Sequence, residues 1–260
     1  MADLSGVRVV VTGATSGIGE AMADALLESG ATVAFAARES ERLHASVVRR
    51  QDEGFAAQAL ALDVRDAASV EAAADRAFSQ LGGIDLVINN AGIGMRTVNP
   101  RFSEEPMSFF EVSPEGFSDV IATNLTGYFL VAAAFARRFV EVGHGAFVNV
   151  SMGYGTMNRR GFVPYGPSRA GSEALSLIMT EDLRPYDIPV NIVLPGGATD
   201  TGMIPQDAPR RDLLPAQVMG PPAVFLASPE AGGLTGARII AREFDQWLAA
   251  FRLERSSSAK

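Results

Sequence analysis

The chain has 260 residues, 47% of them apolar, with 30 acidic against 22 basic side chains and a net charge of −8. That balance excludes nucleic acid or an anionic membrane as a standing partner, since both are held by basic surfaces. Cysteine is absent, which excludes disulfides and thiol catalysis and fits an expected cytoplasmic setting. Val7 to Val11 is a short apolar, β-branched run and predicts a buried strand. It begins within about six residues of the start, so no signal peptide is expected. No apolar run is expected to approach the roughly 20 residues that span a bilayer.

The strand runs directly into Thr12-Gly13-Ala14-Thr15-Ser16-Gly17-Ile18-Gly19, followed by the helical pattern Met22, Ala25, Leu26. Glycines at a strand-to-helix turn permit tight backbone geometry and close approach of a pyrophosphate. The free N–H groups and positive end of the helix then hold the phosphate. The spacing is GxxxGxG rather than the general GxGxxG fingerprint. A second strand, Ala31 to Ala37, ends in Arg38. An acid about 20 positions after the glycines would bind the ribose 2′-hydroxyl of NAD. Here that slot holds Ala37 with Arg38 beside it, and an arginine can pair with a 2′-phosphate through two N–H donors. The pair points to NADP in preference to NAD.

Further along, Asp63-Val64 follows a third strand and Asn89-Asn90-Ala91-Gly92 a fourth, and Asn124 lies in a helix. Ser151 follows a fifth strand, Pro195-Gly196-Gly197 with Thr201 a sixth, and Ala237 to Ala241 is the last. Helices alternating with apolar strands imply a parallel sheet with right-handed crossovers. Tyr165 and Arg169 stand four apart in Tyr165-Gly-Pro-Ser-Arg169, so both reach one ligand from one helical face. A phenol is a poor acid–base catalyst at neutral pH, and a fixed cation beside it favours the phenolate.

In their order and spacing these motifs resemble the short-chain dehydrogenase/reductase family, from about Gly6 to about Ala241, with 242–260 as a C-terminal extension. The resemblance implies one Rossmann-like, doubly wound α/β domain over 1–260 with a parallel sheet of about seven strands. It implies that Gly13, Thr15, Ser16, Gly17, Ile18 and Gly19 hold the cofactor pyrophosphate. Asp63 and Val64 would hold the adenine, and Asn90, Ala91 and Gly92 would pass under the ribose. Pro195, Gly196 and Thr201 would hold the nicotinamide end. Asn124 would place a water in a proton relay, Ser151 would bond the substrate oxygen, and Tyr165 would transfer the proton. Where the family carries a lysine after the tyrosine, this chain has Arg169. An arginine can bond the ribose and stay charged, but it is bulkier and does not give up a proton. The expected activity is NADP(H)-dependent interconversion of a secondary alcohol and a ketone. The alternatives are an NADP-binding sensor or scaffold without turnover, and an epimerase or dehydratase on the same fold.

His44 and His144 read as solvated residues, so no metal is expected. A serine-nucleophile site also fails, because Gly-x-Ser-x-Gly does not occur around Ser151. Three segments, Gly94 to Gly116, Met152 to Phe162 and Gly202 to Met219, emerge at the carboxyl ends of strands, where open α/β sheets bind ligands. They are expected to form a mostly apolar substrate pocket with a few arginines, unless Phe109 and Phe110 merely pack their insert onto the body. At the C-terminus, Phe244, Trp247, Leu248 and Phe251 recur at helical spacing. That stripe must pack on its own body or on a second copy, and the resemblance implies a homotetramer or homodimer.

Overall fold

The computed structural model describes residues 2–205 and 209–258. Residues 206–208, part of the predicted 202–219 pocket segment, lie outside the described residues, as do the last two of the tail. Seven strands form one sheet: β1 (Arg8–Thr12), β2 (Thr32–Ala37), β3 (Ala57–Ala61), β4 (Leu86–Asn89), β5 (Phe147–Val150), β6 (Val190–Leu194) and β7 (Arg238–Ile240). Their order is β3-β2-β1-β4-β5-β6-β7, and every pairing is parallel. The order reverses between β1 and β4, the crevice where such sheets bind ligands.

A parallel sheet covered on both faces needs strands apolar on both sides, and β1 meets this with Val9, Val10 and Val11 all fully buried. Val9 and Val11 face one core, formed with α1 (Gly17–Glu28), α2 (Glu41–Asp52), α8 (Gly220–Ala227) and α9 (Phe244–Ser258). Val10 faces the other, formed with α3 (Ala67–Leu81), α5 (Gly127–Val142) and α7 (Tyr165–Leu183). Local chemistry starts the helices where the sequence changes character. Asp66 caps α3 by accepting from Ala68 N and Ser69 N, and Ser40 caps α2 by accepting from Leu43 N.

Helix α4 (Pro114–Ile121) passes through a π turn, Ala122–Thr126, into α5, and a short α6 (Tyr154–Met157) lies between β5 and α7. By length and composition the continuous helix Pro114–Val142 could cross a bilayer, contrary to expectation, but half of its most apolar window is buried inside the protein. That is the pattern of a core helix. The C-terminal stripe also packs inward: Trp247 stacks on Phe244 and Phe251, at 5.9 and 5.3 Å, and meets the edge of Phe225 of α8 at 5.6 Å.

Candidate active site

The glycine turn forms a cradle of free backbone donors at the start of α1. Gly13 adopts φ +68, and a Cβ there would press on the Ala91 backbone, so only glycine fits. Ser16 starts α1 without a side-chain cap, which leaves the first-turn N–H groups of Gly17, Ile18 and Gly19 for a ligand. Thr12 Oγ1 accepts from Asn90 N and Ala91 N at 2.9 and 3.1 Å, tying the end of β4 to this turn. Asn90 Nδ2 donates back to Thr12 O at 2.9 Å. The Thr201 side chain packs at Gly17. Pro195 O accepts from Arg242 N at 3.1 Å, and Gly196 follows with φ +91. Arg42, unremarked in the sequence, donates to Thr15 O at 2.8 and 3.2 Å. Only its position four residues beyond Arg38 could have suggested it.

Past the end of β2, a cavity of about 330 Å³ is lined by Arg38, Glu39, Leu62, Asp63 and Arg76. Among the described residues the exposed Arg38 guanidinium has no ion-pair partner. Val64 packs against Gly127, whose missing side chain lets α5 approach.

At the centre, the π turn carries Asn124, fully buried, to the backbone of Ile93. Its amide accepts from Ile93 N and donates to Ile93 O, both at 2.9 Å, and donates to Ser168 Oγ at 3.3 Å. Here Asn124 fixes the loop after Gly92. Gly92 itself faces Asn124 Oδ1 and Arg169 Nη2, leaving no room for a Cβ.

Arg169 lies on α7, 3% exposed. Its Nη1 donates to Tyr128 Oη at 2.6 Å and to Val150 O at 3.1 Å. Its guanidinium carbon is 5.4 Å from the Tyr165 ring centre. Burial works against the cation, but the phenols of Tyr128 and Tyr165 outweigh it and hold Arg169 above its ordinary value. The guanidinium is therefore charged at any accessible pH. Its Nε is buried with no partner among the described residues, a donor that a bound ligand would satisfy. The cradle and this orphaned donor both fit a dinucleotide.

Ser151 has a protein partner. Its hydroxyl, 7% exposed, donates to Glu173 Oε1 at 2.5 Å. Glu173 is buried and pairs with Arg238, whose Nη2 also donates to Met152 O at 2.8 Å. In this geometry the Ser151 proton is engaged by a carboxylate of α7.

The three pocket segments meet. Phe102 and Phe162 pack edge to face at 5.7 Å, and Arg96 Nη1 donates to Gly202 O at 2.8 Å. A cavity of about 460 Å³, lined by Gly92, Ile93, Arg96, Thr97 and Met203, opens beside them. Phe109 and Phe110 do not pin their insert to the body. They are 72% and 75% exposed and pack edge to face on each other. His44 lies against Glu39 and His144 against Asp85, and no metal-binding group occurs among the described residues.

Comparison with known proteins agrees with this layout: the short chain dehydrogenase family matches residues 8–212. The chain belongs to that family. Among its relatives, D-threitol dehydrogenase of Mycolicibacterium smegmatis is 33% identical over 248 residues, 91% of this chain and 92% of the relative. A gluconate 5-dehydrogenase from Burkholderia cenocepacia, solved with NADP and tartrate, superposes with TM-score 0.81 at 28% identity, covering 93% and 96% of the two chains. A 3-ketoacyl-(acyl-carrier-protein) reductase from Brucella melitensis, solved with NADH, gives 0.80 at 28% identity, covering 91% and 97%. The short-chain dehydrogenase assignment makes this chain an NAD(P)-dependent oxidoreductase acting on CH–OH groups.

Proposed function

We propose that this short-chain dehydrogenase uses NADP(H) to interconvert a secondary alcohol and a ketone, with Tyr165 moving the proton and Arg169 as its fixed cation. The observation that carries the reading is the buried, charged guanidinium beside the Tyr165 ring, with one donor still unpartnered. The bound nicotinamide would supply or accept the hydride. Tyr165 would protonate the nascent alkoxide in reduction and take the proton back in oxidation, with the Arg169 cation 5.4 Å from its ring centre. Arg169 would bond the ribose through its free donors, and Asn124 would keep Gly92 and Ile93 in place beneath it. Asp63, Val64, Asn90, Ala91, Pro195, Gly196 and Thr201 would line the rest of the cofactor groove. The unpaired Arg38, with Arg42 nearby, supports NADP over NAD. The exposed Phe129 of α5 and Leu177 and Ile178 of α7 support a homodimer or homotetramer through these helices.

One observation favours a second reading. With the Ser151 hydroxyl committed to Glu173, the substrate oxygen lacks that donor, as in a cofactor-binding protein with little turnover. Nicotinamide absorbance, followed over a panel of ketones and alcohols with each cofactor, separates the two. The expected result is NADPH consumption that falls by roughly 10²–10⁴ in Tyr165→Phe, the usual contribution of a general acid–base. Arg38→Ala should weaken NADPH about tenfold or more and leave NADH unchanged. NADPH binding without consumption on any substrate, unaltered by Tyr165→Phe, would establish the binding protein. Product without net cofactor use would indicate epimerisation or dehydration, and equal affinity for both cofactors would remove the NADP preference.

A further inference from the structure

Tyr128 of α5 is 2% exposed, and its hydroxyl is fully engaged. It donates to Val150 O at 3.1 Å and accepts from Arg169 Nη1 at 2.6 Å. Nη1 also donates to Val150 O at 3.1 Å. Phenol, guanidinium and carbonyl therefore close a triangle that uses both protons of Nη1. The guanidinium carbon lies 5.2 Å from the Tyr128 ring centre and 5.4 Å from that of Tyr165, so one cation serves two phenols.

A guanidinium is a rigid fork with five N–H donors at the end of a flexible stem. Buried, it costs stability wherever a donor goes unmet, and it can turn unless one arm is held. Here one arm is held by Tyr128 and Val150. Nη2 lies against Gly92, and Nε is left without a partner. We propose that Tyr128 is a positioning residue, its hydroxyl pinning one arm of Arg169 so that the remaining donors are aimed at Tyr165 and the cofactor ribose. The inference rests on the function proposed above.

A phenol suits this task better than a carboxylate. Burial pushes the Tyr128 hydroxyl above its ordinary value, and the opposing pull of Arg169 does not cancel that. Tyr128 thus stays neutral through the working pH range and anchors the cation without neutralising it. A carboxylate in its place would cancel the charge that Tyr165 needs. The titratable groups acting on Arg169 are Tyr128 from α5 and Tyr165 from its own helix. Glu173, one turn further along α7, is engaged by Ser151 and Arg238.

The test is a double-mutant cycle on the full chain, read first as the dissociation constant of NADPH by calorimetry, which needs no turnover. Tyr128→Phe keeps the ring and removes the hydroxyl. It should weaken NADPH about five- to twentyfold, the range expected for losing the orientation of one charged hydrogen-bond donor. In the Arg169→Met background the same change should matter by less than about twofold, because Tyr128 then has nothing to hold. In the parent background Tyr128→Phe should also lower kcat while leaving the substrate KM within about twofold, since a loosened cation no longer stands fixed beside Tyr165. An equal effect in both backgrounds would show that Tyr128 only packs, and an unmoved affinity and kcat in Tyr128→Phe would overturn the proposal outright. Should Tyr128→Phe fail to fold by circular dichroism, Tyr128→Met removes the same hydroxyl and completes the cycle. A parent that binds NADPH but turns nothing over would refute the proposed function while leaving the binding cycle, and this inference, readable.

Discussion

Ser151 shows how a single hydroxyl can be reassigned by its neighbours. A serine just past the end of a strand, ahead of Tyr165, looks like a donor to substrate. Its 2.5 Å bond to the buried Glu173, itself paired with Arg238, gives the proton another owner. Ser151→Ala should therefore act on stability, by about 1–2 kcal/mol for a lost hydrogen bond to a charged group. Turnover should change by less than about threefold, below the 10²-fold floor of a lost catalytic proton group. Urea unfolding and steady-state rates on the same preparation decide it; a hundredfold rate loss at unchanged stability would return Ser151 to the substrate. What was legible of the site was its local part: the glycine turn and the Tyr165–Arg169 spacing each sit within a turn or two of chain, whereas Asn124 was named by the resemblance and reaches Ile93 across 31 residues. Tyr128 and Glu173 were not legible. Tyr128 reaches Arg169 across 41 residues, and Ser151 reaches Glu173 across 22. Nothing in the surrounding sequence marks such partners until the sheet and α7 bring them together.

At the scale of elements, periodicity identifies faces but not what they face. The stripe Phe244, Trp247, Leu248, Phe251 predicted an amphipathic helix, and α9 is one. Its partner became visible only in three dimensions, because Phe225 comes from α8. Phe109 and Phe110 are the converse case, aromatic in sequence and still exposed in the fold. Since Trp247 is flanked by Phe244 and Phe251 and abutted by Phe225, it should be the anchor of α9. Trp247→Ala should cost about 2–4 kcal/mol, somewhat less than a fully buried tryptophan because one edge is open. Urea unfolding measures this. A loss under about 0.5 kcal/mol, the range of an ordinary surface substitution, would show that the stack does not hold the helix in place.

For the whole molecule, strand–helix alternation announced a parallel sheet, yet the order β3-β2-β1-β4-β5-β6-β7 could not be read from any residue pattern. Apolar strands specify burial on both faces, not which neighbour each strand takes. The charged groups at the amino-terminal edge of the sheet were likewise invisible in sequence. Asp85, just before β4, accepts from Arg8 Nε and Nη2, each at 2.8 Å, and from Arg8 N at 2.7 Å. His144, beyond α5, lies 2.8 Å from the same carboxylate, so one acid links β1, β4 and the approach to β5. Burial alone would raise Asp85, but the bonds from Arg8 and His144 prevail and hold it below its ordinary value. A carboxyl lowered in the folded state binds its proton more readily when unfolded. Its stabilisation is therefore complete above the unfolded value of about 4 and is lost as pH falls through the lower folded value. Asp85→Asn should cost about 1–3 kcal/mol near neutrality, since it removes a charged acceptor from partly buried partners. In urea unfolding at a series of pH values, the gap between parent and variant should hold from neutrality down to about pH 5 and close below about pH 4. A gap that persists undiminished in acid would mean the contact is steric rather than ionic, and that Asp85 does not tie this edge of the sheet together by charge.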